Sequence, residues 1–139
     1  MIGPDASNYA DYLYWLHFAN GTLQLSTSRN MFMRMAKVPA DNPIMQACVG
    51  RREHAVRLLD DRSKENEWLA GKEFTAADIM TVVSLTTLRL FMPYSLEPYP
   101  HVLRWLERVG EREGYRRAMG KGDPGLEPLL GAEAPQPFM

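Results

Sequence analysis

Cysteine is almost absent from this chain of 139 residues: Cys48 is the only one. A single thiol excludes an intramolecular disulfide. His17, His54 and His101 fall on separate expected helices, so no pair has metal-ligand spacing on one face and no metal site is expected. No apolar run is long enough to cross a bilayer. Met1-Ile2-Gly3-Pro4-Asp5 has neither the charged start nor the apolar stretch of a secretory leader. A cytoplasmic location under reducing conditions is therefore the expectation. Neither sign of charge dominates. Sixteen Lys and Arg against seventeen Asp and Glu leave a net charge of −1, with no electrostatic drive toward nucleic acid or an anionic membrane. Internal repeats are missing too, and so are alternating β-branched runs bounded by turns, so no strands are expected.

What is present is helical punctuation. The length suits one domain with a sizeable core. Asp5 and Ser7 can each start a helix. From Asn8 to about Lys37 there is no proline, and Tyr9, Tyr12, Leu13, Leu16, Leu23 and Phe32 recur at helical spacing. Asn20-Gly21 predicts a bend or weak point within that segment, which reads as one kinked helix or two. Val38-Pro39-Ala40-Asp41 is a turn. Asn42 then caps a second helix with Pro43 in its first position, running to about Glu65. Ile44, Cys48, Ala55 and Leu59 form its expected inner stripe, and Gln46, Glu53, Arg57, Asp60 and Lys64 its wet side. Pro98 and Pro100 introduce a further helix from about His101 to Glu111, with Val102, Leu103, Leu106 and Val109 inward. A short one covers about Tyr115 to Met119. The expectation is an all-α bundle of about five helices.

The most informative stretch is Trp68-Leu69-Ala70-Gly71-Lys72-Glu73-Phe74-Thr75-Ala76-Ala77-Asp78-Ile79. Thr75 stands at an N-cap and Asp78 at N3, the spacing of a capping box. Phe74 and Ile79 are spaced for a hydrophobic staple, and Gly71 supplies a turn, expected at positive φ. From Thr75 to Met92 the only charges are Asp78 and Arg89, and apolar residues point all round a 3.6-residue repeat. This predicts a helix in the middle of the core, stopped by Pro93. A catalytic role for Asp78 is not expected, because the helix start occupies its carboxylate.

Four segments in order carry a resemblance: Tyr12-Leu13-Tyr14-Trp15-Leu16-His17-Phe18-Ala19-Asn20-Gly21, the cap from Gly71 to Ile79, Tyr99-Pro100-His101-Val102, and Gly114-Tyr115-Arg116-Arg117-Ala118. Together they resemble the C-terminal, all-helical domain of glutathione transferases, the first segment looking like the subgroup of bacteria and fungi. The resemblance covers about Asp5 to Leu130. It implies a helical domain over 1–130 and a Pro-rich, flexible tail over 131–139. One departure is Arg112-Glu113-Gly114, where relatives often have Arg-Pro, which leaves the last helix start less sharply defined.

In that family a thioredoxin-like domain binds glutathione and carries the catalytic Ser, Tyr or Cys. The helical domain lines the electrophile site and contributes to the dimer. Nothing in this chain reads as a thioredoxin-like domain. The resemblance therefore implies the helical half of a transferase, from a longer protein or encoded alone. Its partners would be the missing domain, a second copy and an apolar electrophile. It implies no catalytic residue and no cofactor in this chain, with glutathione as cosubstrate of the parent enzyme only. Tyr12, Leu16, Asn20 and Leu23 share one face of the first helix, with Trp15 beside it, and are the candidate substrate-binding residues. An aromatic wall with one amide suits a flat apolar substrate. The alternative is that these are core residues. Cys48 reads as core, each histidine as satisfied or exposed, Arg51-Arg52 as solvated or at a dimer contact, and Phe138-Met139 as a flexible end or a flap over a pocket. Domains of this type also occur as non-catalytic assembly modules attached to translation factors and aminoacyl-tRNA synthetases, which is the second reading.

Overall fold

A computed structural model describes residues 2–138, so Met139 lies outside the described residues. The proline-free stretch forms one helical rod with a fault in it. α1 (Tyr9–Phe18) passes through a π segment (Ala19–Gln24) directly into α2 (Leu25–Met35). Asn20 and Gly21 lie in the fault, where weak helix propensity makes a widened turn least costly. Just beyond it, Ser26 Oγ donates to the Thr22 carbonyl (2.6 Å) and Thr27 Oγ1 to the Leu23 carbonyl (3.1 Å). Neither Asp5 nor Ser7 is the cap. Asn8 holds that position, and its amide donates to the Ala70 carbonyl (3.0 Å). α2 ends with Lys37 in the left-handed region (φ 55°). Its N–H donates to the Arg34 carbonyl and that of Val38 to the Met33 carbonyl, the paired bonds of a Schellman end.

Asn42 and Pro43 start α3 (Pro43–Glu65), and the Asn42 side chain accepts from the Ile44 N–H (2.9 Å). The inner face of α3 is displaced from the expected one. Met45, Ala55, Val56 and Leu59 are buried, whereas Ile44 points to solvent. Asp60, expected on the wet side, is buried for a reason that spacing within α3 does not reveal. Its Oδ1 accepts from the backbone N–H of His101 (2.7 Å) and Val102 (2.9 Å). These are orphan donors in the first turn of α5 (Pro100–Glu111), where Pro100 has no N–H of its own to satisfy. One helix thus caps another from the side. α6 (Glu113–Gly122) is longer than expected and lies on the surface. Its Arg116 donates to the Gly110 and Glu111 carbonyls at the end of α5 (2.9 Å each).

α4 (Ala76–Leu85) begins at the capping box and packs along α1, the π segment and the 3₁₀ turn that follows it. Gly71 has φ 117° in the turn before it. The Asp78 carboxylate accepts from the Thr75 N–H (2.9 Å), the Thr75 hydroxyl (3.2 Å), the Leu69 N–H (3.0 Å) and the indole Nε1–H of Trp105 in α5 (3.1 Å). Phe74 turns its ring edge-on to Trp68 (4.9 Å between centroids), and Ile79 stays 54% exposed. The helix is neither as long nor as uniformly buried as its composition predicts. It ends at Leu85, and Thr86 breaks the backbone (φ −121°, ψ −95°) before a 3₁₀ turn over Thr87–Leu90. The run Ser84-Leu85-Thr86-Thr87 explains the break. Hydroxyls compete for helix carbonyls, and Thr86 Oγ1 takes that of Val82 (2.7 Å). Ile79, Met80 and Val83 share an outward face, so α4 is core on two sides only.

Arg89, fully buried, fastens the end of the chain. Its guanidinium donates to the carbonyls of Leu85 (3.4 Å), Tyr94 (3.2 Å), Gly131 (3.1 Å), Ala132 (3.4 Å) and Glu133. Leu96 N–H donates to the Ala132 carbonyl and Phe138 N–H to that of Leu90. These bonds tie residues 131–138 to the bundle as an extended strap. Leu130 lies over Gly110, where a Cβ would collide with it. Tyr94 sits between two cations, with Arg52 4.6 Å and Arg89 5.6 Å from its ring centroid. Burial pushes its phenol up to about 12, partly offset by those two guanidiniums.

Among the described residues there are six α-helices and no strand, only an isolated bridge between Trp68 and Gly71. No described helix is long and apolar enough to cross a membrane. The expected all-helical bundle is the fold, with the long first helix split by its π segment.

Two outcomes follow from these contacts. Asp78→Ala strands three N–H donors and a hydroxyl in the core and should lower the urea unfolding free energy by about 3–5 kcal/mol. Asp78→Asn, which keeps one acceptor oxygen, should lose about half of that. Stability should also fall as pH rises from about 10 to about 12. Over that range the unfolded Tyr94 ionises while the folded one stays neutral, at a cost approaching about 2–3 kcal/mol. Alkaline unfolding of the wild type beside Tyr94→Phe measures it, since the phenylalanine variant should show a shallower decline.

Candidate functional site

The exposed side of α1 and the π segment carries an open groove of about 320 Å³, lined by Leu13, Tyr14, His17, Phe18 and Thr22. Helical geometry brings these together, because residues three, four and seven or eight apart share a face. The aromatic rings interlock. Tyr14 meets Trp15 edge-on at 5.1 Å and stacks near Phe18 at 6.1 Å, and Trp15 meets Phe18 at 5.0 Å. The result is a rigid apolar ridge with an imidazole and two hydroxyls within the same surface. Such a surface can hold a flat apolar molecule and offer it hydrogen bonds. It contains neither a thiol nor a pair of carboxylates. Among the described residues no cluster of His, Cys, Asp or Glu could hold a metal ion.

The five residues assigned from sequence to a substrate wall do not share one surface. Tyr12, Trp15 and Leu23 are buried in the core cluster, Leu16 is half-buried against it, and Asn20 is exposed on the π segment. The groove is lined by the neighbouring stripe, where Tyr14, His17 and Thr22, which the sequence pattern does not single out, alternate with the core positions. The available signal was that a stripe mixing aromatic and polar side chains beside an apolar one belongs at a boundary. The cap residues lie elsewhere. Gly71, Phe74, Thr75 and Asp78 form the turn into α4, and Ile79 opens its outward apolar face.

α1, which carries the groove, packs along α4, whose outward face is apolar. Ile79 and Val83 are 54% and 51% exposed, and Met80 is 39% exposed. Cys48 is half-buried on α3. His54 lies with Arg29 and Arg51 in a shallow groove between α2 and α3 that shares Thr22 with the first. The ring of His101 is in contact with the Arg104 guanidinium.

Comparison with known proteins gives a consistent result. The family described as "Glutathione S-transferase, C-terminal domain" matches residues 27–113. Among curated proteins, a probable elongation factor 1-gamma of Arabidopsis thaliana is 24% identical over 141 aligned positions, covering 99% of this chain and 34% of the factor. Glutathione S-transferase 1 of Manduca sexta is 33% identical over 67 positions, covering 48% of this chain and 31% of that enzyme. The chain thus spans about a third of either relative. Among solved structures, a glutathione transferase of Phanerochaete chrysosporium in complex with oxidized glutathione superposes with a TM-score of 0.74 at 15% identity, over 86% of this chain and 56% of the other.

Proposed function

The chain belongs to the glutathione S-transferase C-terminal domain family, and from that premise we propose that it is the helical half of a glutathione transferase, lining the site of an apolar electrophile. The observation that carries the reading is the uncovered apolar face of α4, Ile79, Met80 and Val83, on the helix that packs against α1. A contiguous exposed apolar face is costly in water and marks a surface made to be covered. A thioredoxin-like domain docked there would close the open side of the groove and bring a glutathione thiolate to it. Leu13, Tyr14, His17, Phe18 and Thr22 would meet the electrophile. Tyr12, Trp15, Leu16 and Leu23 would hold that ridge rigid from behind, and Asn20 would stand at its solvent rim. Leu25, Phe32, Met35 and Ile44, exposed on α2 and α3, would serve a homodimer contact. Conjugation of glutathione is then the activity of the whole enzyme, in the cytoplasm.

A second reading rests on the elongation factor 1-gamma alignment, which runs along 99% of the chain. In that reading the domain holds an assembly together and the α4 face meets a protein with no thiol chemistry.

Kinetics on the full-length protein separate the two. Tyr14→Ala should raise KM for an aryl halide electrophile by about tenfold and move KM for glutathione less than about twofold. Equal losses on both substrates would sink the electrophile wall, and absent conjugation in the wild type would favour the assembly module. The 139-residue chain by itself should show no thermal shift with millimolar glutathione, since its donors for a thiolate lie in another domain. A clear upward shift would place a glutathione site within this chain and overturn the division of labour.

A further inference from the structure

The stripe of α3 that runs Met45, Val49, Arg52 ends in a cation with little to donate to. Arg52 is 7% exposed, and its Nε is buried without an acceptor among the described residues. The one carboxylate beside it, Glu53, is 3.9 Å from Nη2, beyond hydrogen-bond length. Tyr94 lies against the guanidinium, 4.6 Å from ring centroid to Cζ. A π-face offsets positive charge but does not accept the in-plane N–H groups. The buried Nε–H is left without an acceptor, while the Nη groups, which have no hydrogen-bond partner among the described residues, remain available to a ligand at the groove.

The surroundings say what that would be. Arg52 lines a groove of about 530 Å³ with the exposed Arg34 of α2. The remaining wall is apolar, chiefly Val38 from the α2–α3 loop, Met45 and Val49 from α3, and Met92 beyond the 3₁₀ turn. No acidic residue lines it. Two cations over an apolar trough call for a ligand with a negative head and an apolar body. Two guanidiniums on an apolar wall fit a planar carboxylate better than a strongly hydrated dianion. The methionines give the trough an adaptable floor.

We propose that this groove binds a small aliphatic carboxylate. Its headgroup accepts from the Arg52 and Arg34 guanidiniums, and its chain lies on Val38, Met45, Val49 and Met92. The site is independent of the aromatic groove on α1, since it sits at the α2–α3 loop and shares no lining residue with it.

Octanoate titrated into the 139-residue chain, followed by amide chemical shifts, tests this. Saturable shifts are expected at Val38, Val49 and Met92 with Tyr14 and His17 unmoved, and 1-octanol should bind at least about tenfold more weakly. Arg52→Met should weaken octanoate about tenfold or more. Arg34→Met, an exposed position that leaves the core intact, should weaken it about threefold to tenfold even if the first variant folds poorly. Shifts absent from this groove, equal binding of the alcohol, or full affinity in Arg34→Met would each overturn the site. Inorganic phosphate binding as tightly as octanoate would do the same, because it would show that the apolar wall contributes nothing.

Discussion

One carboxylate holds the architecture in register. Asp78 accepts from the N-terminal turn of its own helix, from the Leu69 N–H in the preceding loop and from the Trp105 indole of α5. A helix start, a loop and a neighbouring helix are therefore fixed to two oxygen atoms at 0% exposure. A buried anion of this kind is tolerable only when its lone pairs are filled, and here polar donors fill them, with no counter-cation among the described residues. The arrangement is directional as well as stabilising. A hydrophobic residue in its place could pack, but it would not specify which indole or which loop amide comes to the helix start. Asp60 works in the same way at α5, and between them the two aspartates set the start of both central helices.

Once α4 is pinned at its start, its rotation about its own axis is set, and that rotation decides what faces water. Thr81, Val82, Ser84 and Leu85 turn inward, and Ile79, Met80 and Val83 turn out. α1, laid along α4, is oriented by the same contact, so Trp15 enters the core and Tyr14 stands on the surface. The aromatic groove and the uncovered face are thus two results of one constraint. The π segment adds the last element, letting the rod change pitch at Asn20-Gly21 while Leu23 and Thr27 still reach the interior.

Much of this was legible in the residues, and the failures have a common physical origin. Asn42-Pro43 and Pro100 mark helix starts because their effect is local. The all-helical fold follows from patterning over long windows, where errors average out. Which stripe of a helix faces the core depends on what lies across from it, and periodicity cannot say whether a neighbour is present. Ile44 and Ile79 read as inward and are exposed for that reason. Asp60 read as outward because the donors it satisfies are 41 and 42 residues away. Apolar patterning runs on past Leu85 to Met92, because a helix can tolerate scattered hydroxyl residues. In the fold, Thr86 Oγ1 captures the Val82 carbonyl at the point where the helix stops. On α1 the same limit applies: Tyr12 and Trp15 lie in the core while Tyr14 and His17, one step round the helix, are exposed.

Arg89 gives the chain a sense of time. Three of the carbonyls that accept its guanidinium, on Gly131, Ala132 and Glu133, are the last of its partners to be made during synthesis. Until they arrive, the middle of the bundle contains a cation short of its acceptors, and the segment after α4 has reason to stay loose. Closure of the core therefore waits for residues 131–133, and a chain that stopped before them would carry its incompleteness at its centre.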